Sequence, residues 1–145
     1  MDGPFTKTYI ECSKILAMPK VNYFSIPVDV PERAIDFYQK VFGWRFETGW
    51  EYDTPQGREK HWNVITGDGS SAGINGGLTR REYPGQPIGI GIEVPSVDAY
   101  TDLIEKNGGR TLVPKVAIPG VAWFAFCQDS EGNSIPIYQP DPAAK

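Results

Sequence analysis

His61 is the only histidine of the chain, and Cys12 and Cys127 are its only cysteines. One imidazole excludes any multi-histidine metal centre. The cysteines have no CxxC spacing and cannot form a disulfide framework, so a reducing, cytoplasmic location is the expectation. Cys127 lies in AWFAFCQ with no adjacent basic or histidine residue to lower its pKa, and reads as a small core residue. Glu93, in GIGIEV, is the carboxylate with the clearest chemical opening: a candidate acid or base beside Gly89 and Gly91, which leave space for a ligand. The glycines at Gly67, Gly69, Gly73, Gly76 and Gly77 do not spell a phosphate loop, because neither GxxxxGK[ST] nor a strand–GxGxxG–helix context is present. Thr79-Arg80-Arg81-Glu82 is too short a basic run to mean more than a solvated linker.

These residues need elements to position them, and the first is Val21 to Trp44. Val21–Val28 alternates as a strand. Asp29 stands at an N-cap position, Pro31 falls in the first turn, and Glu32 completes a capping box. Ala34, Phe37, Tyr38, Val41 and Phe42 then recur at helical spacing, Gly43 ends the helix, and Trp44 and Phe46 begin a second strand. The plan repeats from Ile88. A strand runs to Val94, Ser96 can cap a helix carrying Tyr100, Leu103, Ile104 and Asn107, and Gly108-Gly109 ends it before a strand from Arg110.

An offset of 66 residues sets Gly89 on Tyr23, Ile92 on Ile26 and Gly109 on Gly43. An offset of 61 sets Trp123 on Trp62, Asp129 on Asp68 and Ile135 on Ile74. The difference places five additional residues in the first half, at about Gly49 to Lys60, read as a polar loop. The expected organisation is an N-terminal extension over residues 1–20, one domain over 21–140 built from βαβββ modules at 21–78 and 88–139, and a tail at 141–145. The extension carries Asp2 and Glu11 and is a poor signal peptide; it reads as a loosely docked arm, or as one that packs on a partner subunit. A net charge of −4 and a pI of about 5.0 give no support to nucleic acid or an anionic membrane as partner. No apolar run approaches the roughly 18–20 residues that span a bilayer.

FSIPVDVPERAIDFYQKVFGW, VPSVDAYTDLIEKNGG and the strand–turn–strand AWFAFCQDSEGNSIPIYQ resemble the vicinal oxygen chelate superfamily of glyoxalase I, bleomycin-resistance proteins and extradiol dioxygenases, over roughly Pro19 to Pro140. The resemblance is nearest to an uncharacterised group related to lactoylglutathione lyase. It implies an α+β fold in which two tandem βαβββ modules form an open half-barrel, and a homodimer. In the superfamily's metal enzymes a ligand projects from the first and last strands of each module. The matching positions here are Tyr23, Gly89, Asn75 and Pro136, which are poor donors for a transition metal. The expectation is that the inherited metal site is gone, with no cofactor.

Turns of even length after the third strands would pair Asn75 with Trp62 or Val64 and turn His61 away; an odd turn would reverse that parity. The same logic puts Trp123, Ala125 and Cys127 on the face of Pro136 and sends Phe124 and Phe126 to the helix-packed core. The expected pocket is Tyr23, Ser25, Trp62, Asn75, Gly89, Gly91, Glu93 and Trp123, an aromatic-walled concavity suited to a planar or amphipathic small molecule. Two functions compete: metal-independent ligand binding, and a metal-independent isomerase, cyclase or lyase using Tyr23 and Glu93 as acid–base groups. A metal-dependent glyoxalase or dioxygenase is disfavoured.

Overall fold

The computed structural model describes residues 18–55 and 57–145; the expected N-terminal arm lies almost wholly outside them. The elements follow the predicted repeat: β1 (Lys20–Val28), α1 (Pro31–Phe42), β2 (Arg45–Thr54), β3 (Gly57–Ile65) and β4 (Gly76–Arg80), then β5 (Gly89–Glu93), α2 (Val97–Lys106), β6 (Arg110–Ile118), β7 (Ala122–Gln128) and β8 (Ile137–Pro140). The strands form one eight-stranded sheet in the order β2-β3-β4-β1-β5-β8-β7-β6. The modules therefore join through their first strands, β1 and β5, which pair antiparallel, while each first strand pairs parallel with its own module's last. The result is the two-module half-barrel, curled with both helices on its outer side.

The helices form for local reasons that differ at their N-termini. Ser96 caps α2 by accepting a hydrogen bond from Ala99 N at 3.1 Å. Asp29 does not cap α1: Val30 is the N-cap residue and makes no side-chain cap bond, and Asp29 pairs instead with Arg81 Nε at 3.1 Å. The physical reason is the long-range partner, since Arg81 lies half-buried beside β1 and draws the carboxylate away from the helix. Arg81 also donates to the carbonyls of Pro27 and Gln86, so the segment read as a solvated linker is tied to β1. Gly43 closes α1 in the left-handed region at φ 71°, where a side chain would be strained.

Between sheet and helices lie two apolar clusters. Ile26, Val28, Val64 and Leu78 pack with Phe24, Tyr38, Trp44 and Trp62 under α1. Val94, Val97, Ala125, Cys127 and Ile137 pack with Tyr100, Ile104 and Trp123 under α2. A third cluster fills part of the concave side: Tyr52 of β2 joins Val113 and Ile118 of β6 and Ala122, Phe124 and Phe126 of β7. β2 and β6 stand at opposite ends of the hydrogen-bonded order, so this contact brings the two edges of the sheet together through side chains.

The stretch read as a polar loop is a hairpin. β2 continues to Thr54 and β3 starts at Gly57. A bulge between Thr48 and Glu51 shifts the β2–β3 register by one residue. Phe46, before it, packs under α1, and Tyr52, after it, faces the concavity although both are even-numbered positions. The last residues are also fixed: Gly120 N donates to Ala144 O, and Trp123 Nε1 donates to Asp141 Oδ2 at 3.0 Å.

Candidate functional site

The concave side of the sheet encloses a cavity of about 310 Å³. Its wall takes Asn22, Tyr23 and Ser25 from β1, Trp50 and Tyr52 from β2, His61 and Asn63 from β3, and Thr79 from β4. The second module adds Ile118, Phe124, Phe126 and Tyr138, among others. Of the residues expected here, Tyr23, Ser25 and Asn75 line it.

Trp62 and Trp123 do not, and the cause is the length of two connections. In β3–β4, Val64 is opposite Gly76 and Asn63 opposite Gly77, so Asn75 shares a face with Asn63 and His61. In β7–β8, Ala125 is opposite Ile137 and Phe124 opposite Tyr138. Counted between paired residues both turns are odd in length, so every β3 and β7 residue lies on the face opposite to the one expected. Trp62 and Val64 belong to the core under α1, and Trp123, Ala125 and Cys127 to the core under α2, while Phe124 and Phe126 enter the concavity. The second turn is shaped by Asp129, whose carboxylate accepts from Glu131 N, Asn133 N and Asn133 Nδ2.

Gly89, Gly91 and Glu93 serve a different purpose from the one expected. A Cβ on Gly91 would overlap the ring of Tyr23, and one on Gly89 would meet Ser134 Oγ at 2.6 Å and Pro136 Cδ at 2.9 Å. The glycines make room for the chain's own side chains. Tyr23 lies edge-on to Tyr138, with ring centroids 5.0 Å apart. Tyr138 donates to Asn22 Oδ1 at 2.8 Å, with Glu93 Oε1 at 3.4 Å. Burial, and secondly the nearby Tyr138, push the Tyr23 phenol well above its usual range, so it stays protonated.

His61 is placed where the odd parity puts it. Its ring stacks on Trp50 at 3.8 Å and 9° and occupies the space that Gly77 leaves. Burial lowers its pKa from 6.5 to about 4, so it is neutral at pH 7. Cys127 is buried, and burial pushes its thiol up to about 11, the condition of an unreactive core thiol.

The four positions matching metal ligands do not form a donor set. Tyr23 is a buried phenol packed on Gly91. Asn75 Oδ1 accepts from Thr66 N at 3.0 Å. Gly89 and Pro136 have no donor atom and pack against each other. Among the described residues no group of three or more His, Cys, Asp and Glu side chains converges. The residues at these positions do not fit a divalent cation.

An eight-stranded curled sheet from two βαβββ modules, with a cavity on its concave side, defines the class of small-molecule proteins and enzymes built on the glyoxalase fold. The chain belongs to the Glyoxalase/Bleomycin resistance protein/Dioxygenase superfamily, whose model matches residues 20–137. A glyoxylase-like domain-containing protein of Didymella fabae is 28% identical over 117 residues, 79% of this chain and 89% of the relative. Similar solved structures include methylmalonyl-CoA epimerase from Mycobacterium tuberculosis (TM-score 0.55, 17% identity, 83% of this chain and 87% of that one). A hypothetical protein from Bacillus halodurans C-125 is similar to the same degree (TM-score 0.56, 17% identity, 88% and 98%). At these identities the structural likeness speaks for the fold. Among the described residues no helix is long and apolar enough to cross a membrane.

Trp50, Tyr52, His61, Thr79, Phe124, Phe126 and Tyr138 are among the wall residues that the sequence reading missed. Trp50 and Tyr52 alternate within WEYDT, a strand signal hidden by the surrounding charges.

Proposed function

We propose that this protein binds an aromatic or amphipathic small molecule in the concave cavity, without a metal and without changing a bond in it. The observation that carries this reading is the wall itself: six aromatic side chains, Tyr23, Trp50, Tyr52, Phe124, Phe126 and Tyr138, around a space of about 310 Å³. Such a mixture of aromatic surface and a few polar groups suits a planar ligand. The test is a thermal-shift and intrinsic-fluorescence screen of aromatic metabolites and antibiotics, since Trp50 lies on the wall. The expected result is a saturable signal with the ligand recovered unchanged. A screen with no response, or one in which a bound compound is converted, overturns it.

The acid–base alternative rests on Tyr23 and Glu93. Tyr23 lines the cavity, but its phenol is held protonated and is unavailable as a base. Glu93 lies behind Tyr138 and off the wall. If a substrate is found, unchanged turnover by Tyr23→Phe and Glu93→Gln removes that assignment. Stoichiometric nickel, zinc or iron in protein purified without added metal would instead favour a metal-dependent glyoxalase or dioxygenase. A homodimer is part of the proposal: on α1, Phe37, Val41 and Phe42 are 54%, 55% and 57% exposed, an apolar surface that a second copy would cover. Light scattering giving the mass of one chain would refute it.

A further inference from the structure

One corner of the cavity has a polarity of its own. Trp50 Nε1, Tyr52 OH, His61 Nδ1 and Thr79 Oγ1 are buried without a hydrogen-bond partner, and all four residues line the cavity. Tyr52 and Thr79 are each only 2% exposed. Buried polar atoms are otherwise paired in folded proteins, so a cluster of orphans beside a cavity is a place where a bound molecule can supply the partners.

The four are physically contiguous. Trp50 and Tyr52 lie on the same face of the β2 hairpin, His61 stacks on Trp50, and Thr79 stands opposite His61 in the β3–β4 ladder. The Tyr52 hydroxyl lies beside both Thr79 and the Glu82 carboxylate, whose Oε1 is likewise buried without a well-formed hydrogen bond, so this corner already borders a negative charge. The indole N–H can only donate, and the two hydroxyls can donate or accept. The complementary group must therefore offer an acceptor oxygen. None of the lining residues is Lys or Arg, and the nearest carboxylate, Glu82, stands beside Tyr52, so a carboxylate or phosphate would be desolvated here with no counter-charge and repelled by that group.

We propose that the Trp50–Tyr52–Thr79 corner selects an uncharged aromatic ligand by hydrogen-bonding a ketone or phenol oxygen, the ring system lying against Phe124 and Phe126. This rests on the cavity being a ligand site, as argued above, and adds the ligand's charge and functional group.

The experiment uses the full chain and three naphthalenes of nearly equal shape: 2-acetylnaphthalene, 2-isopropenylnaphthalene and 2-naphthoate, titrated at neutral pH by fluorescence and calorimetry. The ketone is expected to bind at least about tenfold tighter than both the hydrocarbon and the carboxylate, as for sites built to pair a polar group. Trp50→Phe, Tyr52→Phe and Thr79→Val should each erode the ketone's advantage and leave the hydrocarbon's affinity in place. Equal binding of all three, or tighter binding of 2-naphthoate, overturns the inference and leaves the cavity reading standing. No saturation by any of them, up to their solubility limits, overturns the cavity reading and this inference with it.

Discussion

His61 illustrates how a single side chain acquires its character from where it lies. Stacked on Trp50 and pressed into the space over Gly77, it is held neutral, with burial lowering its pKa from 6.5 to about 4. The unfolded chain takes up this proton near pH 6.5 and the folded chain only near 4, so the unfolded state binds more protons across that interval. Stability is therefore lost as the pH falls through it. Urea denaturation should show a loss of about 2 kcal/mol between about pH 7 and about pH 5 from this group alone. His61→Gln should remove that component, and the difference between the two proteins isolates it from the carboxylates. A wild-type and variant pair with the same slope would show that the imidazole is solvated. Nothing in the local sequence EKHWNV announces this environment, because it depends on a glycine in the neighbouring strand and a tryptophan across a bulge.

At the scale of elements, helix positions were legible and one cap was not. The spacing of Ala34 and Tyr38, and of Tyr100 and Ile104, does place each helix on its sheet, whereas Phe37, Val41, Phe42 and Leu103, read on the same faces, stay about half exposed. Ser96 caps α2 as its sequence suggests, and Ser96→Ala should cost about 1 kcal/mol in a urea melt. Asp29 has equal cap propensity but a better partner in Arg81, so Asp29→Ala should change stability by no more than about 0.5 kcal/mol, the loss of an exposed ion pair. A cap-sized loss at Asp29 would contradict the structure. The faces of the strands were harder to read, for a specific reason: in β3–β4 and in β7–β8 the side-chain direction depends on whether the intervening turn has an odd or an even number of residues. One residue moves Trp62 and Trp123 from wall to core, and His61 and Phe124 the other way. Periodicity finds a strand; it does not say which side of it faces the concavity.

For the molecule as a whole, the duplication was readable because both halves keep the same order of strand, helix and turn. The departure from it, the β2–β3 hairpin, was misread because its charged residues mask the alternation of Trp50 and Tyr52. Tyr52 is the residue through which the first module's edge reaches the second module's concave core, edge-on to Phe124 at 5.1 Å between ring centroids. Tyr52→Ala should cost about 3–5 kcal/mol, as for other buried aromatic truncations. Tyr52→Phe should cost no more than about 1 kcal/mol, since the hydroxyl lies beside Thr79 and Glu82 but makes no well-formed hydrogen bond with either. Denaturation of the two variants side by side checks both statements, and an equal, large loss for Phe would mean that the hydroxyl is structural. The same tyrosine thus closes the fold with its ring and stands in the proposed ligand corner with its oxygen.

The meeting of β2 and β6 has a kinetic consequence. The sheet's two ends touch through side chains such as Tyr52, Val113 and Ile118, and no backbone ladder crosses between them among the described residues. Every other neighbouring pair of strands must break main-chain bonds to separate, whereas this line parts by sliding apolar surfaces. It is the one line along which the curled sheet can part without breaking main-chain bonds among the described residues, so exchange of a molecule bound in the cavity, as proposed above, is expected to follow breathing along β2–β6.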